Sequence, residues 1–196
     1  MTYQFFLDKK PHNGLTYEAY IQMMEEHSRD RSNEYFGIVK LNLQRTNRIN
    51  KTYKVTSELK ELVSEIKFPQ LWMVITEDWC GDSAQNLPYL AKIASCNSLI
   101  AFRIILRDQN LDIMDLYLTD SKSRSIPKLV VFDEAGTELI QWGPRPHEAQ
   151  ELIKKAKADG KSKEDYIQEL HLWYGRNHGK NLENEFKEII KQLIEK

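Results

Sequence analysis

Two nearly uninterrupted apolar runs limit the folds open to this chain. Residues 71–75 contain no polar side chain, and residues 99–106 contain one charged residue, Arg103. Such runs are typical of strands buried on both faces of a sheet. Between and around them, apolar residues recur at helical spacing, so strands and helices alternate from residue 52 to residue 158. The alternation predicts an α/β domain with mainly parallel strand pairing and helices on both faces.

The predicted order of elements over residues 52–158 is β-α-β-α-β-α-β-β-α. The first strand is short, at residues 53–55, and the last two, at 128–132 and 138–142, flank a turn at 133–136. Two strands joined by such a turn form a hairpin, which adds an antiparallel strand at the sheet edge. The fold class is therefore α/β, with a central mixed sheet of four to five strands flanked by helices.

Helical segments precede and follow this predicted domain. Residues 1–51 are expected to form an N-terminal helical extension packed on the core, and residues 159–196 a C-terminal helical extension. The first helix carries an apolar stripe at helical spacing, made of Tyr17, Tyr20, Ile21 and Met24. The next, at about residues 33–49, is predicted to turn Tyr35, Ile38 and Val39 inward and to carry a solvated basic face.

The composition excludes several classes of partner. With 28 basic and 29 acidic residues, the formal net charge is −1, which argues against nucleic-acid and anionic-membrane partners. No stretch approaches the ~18 apolar residues of a membrane span, and the first ten residues lack the pattern of a secretory signal. Two cysteines do not make a disulfide framework. We therefore expect a cytoplasmic protein, and its oligomeric state stays open.

Cys80 is the residue with the clearest chemical potential. It stands where a predicted buried strand ends and an amphipathic helix begins, in Trp79-Cys80-Gly81-Asp82-Ser83. Unpaired N–H groups and the helix dipole stabilise a thiolate at such a position. The Asp82 carboxylate opposes this by raising the thiol pKa, and the sequence does not decide which effect is larger. The Ser83 hydroxyl could donate a hydrogen bond to the thiolate.

Cys96 is a poor partner for Cys80. It lies 16 residues later, or ~24 Å along a helix, whereas a disulfide needs Cα atoms within ~7 Å. We expect it to be a small buried residue near a helix end.

Three motifs on this strand pattern resemble the thioredoxin family over about residues 52–158. They are Trp79-Cys80, Pro88 inside the following helix, and Ile126-Pro127 before the next strand. The chain resembles bacterial thioredoxin-like proteins, here with a monothiol Cys-Gly-Asp-Ser motif. The resemblance implies that Cys80 is the nucleophile, that Pro127 is cis and faces it, and that the Ile126 backbone pairs with a substrate chain. The implied catalytic residues are Cys80, Ser83 and Trp79, and the implied substrate-binding residues are Gly81, Asp82, Ile126, Pro127 and Gly143.

Two positions depart from the dithiol members of that family. Ser83 stands where a second cysteine would resolve a mixed disulfide, and Val74 stands where many thioredoxins bury a carboxylate that assists the second thiol. The resemblance therefore implies a thiol–disulfide oxidoreductase with one nucleophilic cysteine, resolved by an external thiol. Its partners would be protein or small-molecule thiols and disulfides. Three basic residues flank the expected groove and are either anion ligands or surface charges: Arg124, Lys128 and Arg145.

Two other functions stay open. One is a non-catalytic thioredoxin-fold module that binds a protein or peptide, and the other is a redox sensor acting through a Cys80 sulfenic acid. The five histidines show no zinc-ligand spacing, and no nucleotide-binding glycine loop is present, so no metal or cofactor is expected. Glu77 and Asp78 are predicted to be exposed loop acids, with proton transfer as the alternative.

Overall fold

A computed structural model describes residues 2–194 of the chain. Its four strands are β1 (Gln70–Thr76), β2 (Ile100–Leu106), β3 (Lys128–Asp133) and β4 (Glu138–Trp142). They form one sheet in the order β2-β1-β3-β4, in which β1 is parallel to β2 and antiparallel to β3, and β3 is antiparallel to β4. The predicted α/β fold, a mixed sheet flanked by helices with further helices at both ends, is confirmed.

The direction of β3 differs from the mainly parallel pairing that the alternation predicted. A parallel return needs a crossover of a dozen or more residues, usually a helix that runs back along the sheet. The segment between β2 and β3 contains only a 3-10 turn, Arg107–Gln109, and the four-residue helix α6, Leu111–Met114. The chain therefore stays at the end of the sheet where β2 finishes, and β3 enters antiparallel.

The short strand predicted at residues 53–55 is absent, and this part of the chain is an extended connection. Two of its backbone groups bond to side chains instead of to a neighbouring strand. Lys92 Nζ donates to the carbonyl oxygen of Tyr53 at 2.7 Å, and the Thr56 N–H donates to Glu183 Oε1 at 3.1 Å. These bonds satisfy the backbone without a ladder partner.

Helices surround the sheet. Ahead of β1 lie α1 (Gln4–Leu7), α2 (Tyr17–His27), α3 (Phe36–Thr52) and α4 (Ser57–Ser64), and α5 (Gly81–Ala94) joins β1 to β2. After β4 come α7 (His147–Ala158), α8 (Lys163–Asn177) and α9 (Lys180–Ile194). No helix within residues 2–194 has the length and apolarity needed to cross a membrane.

The two faces of the sheet bury separate apolar clusters. Because side chains alternate along a strand, Trp72 and Val74 face one cluster and Met73 and Ile75 face the other. The first cluster includes residues of α2, α3, α4, α5 and α9, among them the fully buried Phe186. The second includes residues of α1 and α6. Helices near both termini thus share a core with the sheet.

The inward face of α3 differs in part from the prediction. Val39 is buried as expected, but Tyr35 and Ile38 are 37% and 52% exposed. Tyr35 precedes the first residue of the helix, and the 3.6-residue period then places Val39, Asn42, Thr46 and Ile49 on the buried side. Ile38 lies one residue away from that stripe and therefore faces outward.

Candidate functional site

The site lies where β1, α5 and β3 meet. Cys80 is the N-cap of α5, and its Sγ accepts a hydrogen bond from the Ser83 N–H at 3.5 Å. The Cys80 thiol also donates to the carbonyl oxygen of Ile126 at 3.3 Å. The Ile126–Pro127 peptide bond is cis. Because β3 runs antiparallel to β1, with Lys128 opposite Ile75, its first residues start beside the cysteine loop.

The acidic residues before the cysteine are buried, so their predicted exposure was wrong. Glu77 and Asp78 are 7% and 5% exposed. Glu77 Oε1 accepts from the N–H of Asp108 at 2.8 Å, and Asp78 Oδ2 lies 2.5 Å from His27 Nδ1. The Asn42 amide donates to the Asp78 carbonyl oxygen at 2.9 Å. These bonds hold the loop against α2, α3 and the turn after β2.

Trp79 lies beside the cysteine in the second apolar cluster, partly exposed. The guanidinium of Arg107 stacks over its ring, 4.8 Å from the ring centroid, and the Tyr35 ring lies 5.5 Å away, centroid to centroid. A cation over an indole face is attracted by the ring quadrupole. The indole is thus held between the N-terminal segment and the turn after β2.

Burial decides the ionisation of Cys80, which is 9% exposed. Loss of solvent is the largest effect, and the Asp82 carboxylate adds to it. Hydrogen bonds from Ser83 and the backbone act in the other direction, and together these effects raise the thiol pKa to about 11. The helix N-terminus does not overcome burial, so Cys80 is a protonated thiol at neutral pH in this conformation.

Ser83 occupies the place next to the thiol where a second cysteine would stand. It is 1% exposed, and its Oγ accepts a hydrogen bond from the Thr76 hydroxyl at 2.5 Å. That bond leaves the serine proton free to point at the Cys80 sulfur. Val74 is fully buried in the apolar core under this corner, so no carboxylate lies at that point of β1.

Asp82 is the centre of a hydrogen-bonded group that includes the C-terminal part of the chain. Arg145, in the loop between β4 and α7, forms an ion pair with its carboxylate through Nε and Nη2. The Tyr174 hydroxyl of α8 donates to Asp82 Oδ1 at 2.7 Å and accepts from the Asn86 amide at 2.9 Å. The Asp82 carboxylate is therefore paired with a guanidinium and with a hydroxyl donor.

Gly81 is contacted by residues from helices at both ends of the chain. A Cβ at this position would lie 3.2 Å from His171 Cε1 and 3.7 Å from Arg45 Nη1. Burial lowers the His171 pKa to about 4, so the imidazole is neutral, and its buried Nδ1 has no hydrogen-bond partner in the described chain. A Cβ at this position would make a tight contact with the imidazole ring.

Gly143 lies against the start of β3. Its φ is +124°, which disfavours residues with a side chain, and a Cβ would lie 2.2 Å from the Pro127 carbonyl oxygen. The peptide bond from Gly143 to Pro144 is cis. Gly143 and Pro127 thus lie next to each other in the described structure, at the same corner as Cys80.

A comparison with family models decides the family. The model described as Thioredoxin matches residues 31–157 of this chain. The chain belongs to the thioredoxin family. The matched region starts at residue 31, within the predicted N-terminal extension (residues 1–51). Helix α3 therefore lies inside the matched region.

Two solved structures share the fold of this thioredoxin-family chain over almost its whole length. One is a protein of unknown function from Pseudomonas aeruginosa, with 17% identity and a TM-score of 0.67, covering 97% of this chain and 98% of the other. The second is an HIV epitope scaffold of the 4E10 type, with 19% identity, a TM-score of 0.63 and the same coverage. No curated protein sequence matches the chain.

Arg45, His171 and Tyr174 are among the residues of this candidate site that were not predicted from the sequence. His171 and Tyr174 lie beyond the matched region, on one face of α8. Together with Ile167 they recur at i, i+4 and i+7, which predicts that they share one face of a helix. No local sequence pattern shows that this face packs against the start of α5. The helical ends of the chain therefore supply side chains to the site.

The three basic residues expected beside the groove have different surroundings. Arg145 pairs with Asp82, and Arg124 makes a two-point ion pair with Asp115, with N–O distances of 2.6 and 2.8 Å. Lys128 is 6% exposed, and burial lowers its pKa. Arg124 and Arg145 are therefore already neutralised.

The remaining candidates lie apart from the thiol chemistry. Cys96 is partly buried, and its Sγ donates to the Lys92 carbonyl oxygen at 3.3 Å. Across residues 2–194, no group of three or more His, Cys, Asp and Glu side chains is arranged to hold a metal ion.

Proposed function

We propose that this thioredoxin-family chain exchanges disulfides through the single thiol of Cys80, with protein or small-molecule disulfides as substrates. The observation that carries the proposal is the 3.3 Å hydrogen bond between Cys80 Sγ and the Ile126 carbonyl oxygen. It places the sulfur at the start of a 14-residue helix, beside the backbone immediately before a cis proline. A substrate strand that pairs with this backbone would bring its own sulfur to the thiol.

The exchange needs two steps and an external thiol. The Cys80 thiolate attacks one sulfur of a disulfide R–S–S–R, the S–S bond breaks, and R–S⁻ leaves and takes up a proton. Cys80 is then oxidised in a mixed disulfide and one R sulfur is reduced. The Ser83 hydroxyl cannot displace the bound R group, so an external thiolate R′–S⁻ attacks the mixed disulfide and frees Cys80.

Deprotonation limits the first step. Because burial raises the Cys80 pKa to about 11, the reactive thiolate is scarce at neutral pH. Ser83 favours the thiolate by donating a hydrogen bond to sulfur. We expect slow exchange in the resting conformation and faster exchange as pH rises.

The test is the mass of the intact protein after incubation with 2-hydroxyethyl disulfide. In a Cys96→Ser background, we expect one mercaptoethanol adduct on Cys80, which dithiothreitol removes. The matched control, Cys80→Ser with Cys96→Ser, should gain no adduct. If the folded protein gains none at pH 9 while the denatured protein does, the proposed exchange is wrong.

A second experiment separates the scaffold from the missing thiol. Ser83→Cys places a thiol three residues after Cys80, where it can attack the mixed disulfide. We expect this variant to reduce insulin in the presence of dithiothreitol faster than the parent chain, and Ser83→Ala to give no such gain. Equal rates for parent and Ser83→Cys would show that the site does not act as a thioredoxin scaffold.

One observation favours a second function, a non-catalytic binding module. A thiol that is 9% exposed with a raised pKa is a poor nucleophile. A binding module keeps its partners after Cys80→Ala, whereas the exchange mechanism loses every covalently trapped partner. The same pKa disfavours a sulfenic-acid sensor, because peroxide oxidises the thiolate form.

A further inference from the structure

Cations around the cysteine fall into two groups. Three arginines have carboxylate partners within 4.0 Å: Arg107 with Asp108, Arg124 with Asp115, and Arg145 with Asp82. Arg45 has no such partner among residues 2–194. Of these four arginines it lies nearest to the position that a Gly81 Cβ would occupy, with Nη1 at 3.7 Å. Since the paired guanidiniums are already satisfied and Lys128 is only 6% exposed, Arg45, beside Gly81, is the cation that we expect an incoming anion to meet.

The surroundings of Arg45 leave most of its donors unused. Within residues 2–194, the half-buried guanidinium donates one hydrogen bond to protein, to Asn42 Oδ1 at 3.1 Å. A guanidinium has five N–H donors. Burial, and to a smaller extent the positive charge of Arg48, lower the pKa of Arg45. A partly desolvated cation without a counterion gains more from an anion than a solvated one does.

The position of Arg45 is set by the packing of α3 along α5. The two helices run in the same direction, since Asn42 bonds to the Asp78 carbonyl oxygen and Lys92 Nζ bonds to the Asn50 carbonyl oxygen. Arg45 Nη1 consequently lies 3.7 Å from the point that a Gly81 Cβ would occupy. The guanidinium therefore stands beside the residue that follows Cys80.

We propose that Arg45 binds a carboxylate of the disulfide substrate, so that Cys80 exchanges preferentially with small disulfides that carry carboxylates close to the sulfur. This inference rests on the proposed exchange function. A planar guanidinium matches the two oxygens of a carboxylate better than a point charge does. The neutral imidazole of His171, which lies near the same Cβ position of Gly81, adds a polar edge without a second charge.

Three disulfides of different charge test the preference: oxidised glutathione, which bears carboxylates, 2-hydroxyethyl disulfide, which is neutral, and cystamine, which is cationic. The rate of mixed-disulfide formation at Cys80 is followed by mass in the Cys96→Ser background. For Cys80, the rate with oxidised glutathione is divided by the rate with 2-hydroxyethyl disulfide, and this quotient is divided by the same quotient measured for free cysteine. We expect the result, the glutathione preference, to exceed one. We expect cystamine to form the mixed disulfide at Cys80 most slowly of the three.

Two variants on α3 locate the effect. Arg45→Gln removes the charge but keeps an amide that can bond to Asn42, and we expect it to lower the glutathione preference about tenfold, as for one charge-assisted hydrogen bond at a half-exposed site. Lys51→Gln makes the same charge change in the last turn of α3, at an exposed position, and should keep the preference. Equal losses in both variants, or no preference in the parent chain, would overturn the proposal.

A non-reacting ligand separates this inference from the exchange function. S-methylglutathione carries the same carboxylates but no disulfide, and its binding is read from amide chemical shifts. Shifts around Gly81 that persist in Lys51→Gln and vanish in Arg45→Gln support the carboxylate site even if no mixed disulfide forms. No shift in the parent chain at millimolar ligand refutes it, whatever the exchange assay shows.

Discussion

The ionisation of Cys80 is the property on which the proposed chemistry depends most. The thiol is 9% exposed, and burial and the Asp82 carboxylate raise its pKa from the ordinary 9.0 to about 11. Since the thiolate fraction falls tenfold for each pH unit below the pKa, the folded chain has about a hundredfold less thiolate at neutral pH than an ordinary cysteine. We predict that folded Cys80 reacts with iodoacetamide about a hundredfold more slowly than the same residue in denaturant at pH 7.

The assay combines alkylation with thiolate absorbance in the ultraviolet, both in the Cys96→Ser background. Absorbance reports ionisation alone, whereas alkylation also depends on access to the sulfur. We expect both signals to rise together through a midpoint near pH 11. An absorbance midpoint at or below pH 8, or alkylation at pH 7 as fast as that of an unfolded chain, would refute burial as the dominant effect.

A substitution at Asp82 measures the smaller, electrostatic effect. Asp82→Asn removes a negative charge near the thiol while its amide oxygen can still accept from Tyr174, and it frees the Arg145 charge. Both consequences favour the thiolate, so we expect the pKa of Cys80 to fall by about one unit. Asp112→Asn, at an exposed carboxylate in the short helix α6, is the control and should leave the midpoint unchanged.

Three further outcomes follow from the geometry. Gly143→Ala should lower the free energy of unfolding by at least about 2 kcal/mol, because the φ of +124° and a backbone oxygen at 2.2 Å exclude a Cβ; urea unfolding measures this. Tyr174→Phe should cost about 1–2 kcal/mol by removing a donor to Asp82, whereas Tyr166→Phe, which loses no hydrogen bond, should stay within about 0.5 kcal/mol in the same unfolding assay. Because folding raises the pKa of Cys80, its contribution to stability is complete below about pH 9 and is lost as pH rises through about 11, by about 3 kcal/mol. Cys80→Ala should flatten this alkaline loss in urea titrations, and an unchanged slope would contradict it.

The sequence predicted most of the fold because its signals are local. Apolar runs and helical periodicity are read within a dozen residues, and they located all four strands of the described structure. The direction of β3 was read incorrectly, because it depends on how far the chain travels between Leu106 and Lys128. The four-residue helix α6 is too short to provide the crossover that parallel pairing requires.

The site was less accessible to sequence reasoning, for two physical reasons. The exposure of a side chain is not a local property of the sequence. Glu77 and Asp78 were therefore predicted to be solvated loop acids, whereas they are buried and bond to the Asp108 N–H and to His27. The same applies to Cys80, whose burial outweighs the helix terminus that the sequence does show. Side chains from distant segments also meet the motif at separations that no spacing rule detects.

The contacts of Tyr174 and Arg45 indicate that the helices before and after the sheet do more than cover the apolar core. A helix that only covers a core contributes apolar area, as Phe186 of α9 does against Trp72, with ring centroids 5.9 Å apart. In contrast, the Tyr174 hydroxyl donates to the second residue after the cysteine, and Arg45 stands beside the first. We expect removal of either side chain to alter charge or hydrogen bonding around the thiol, whereas loss of apolar area alone would lower stability without altering the pKa of Cys80. The pKa of Cys80 in variants of α3 and α8 is therefore the measurement that distinguishes structural packing from participation in the site.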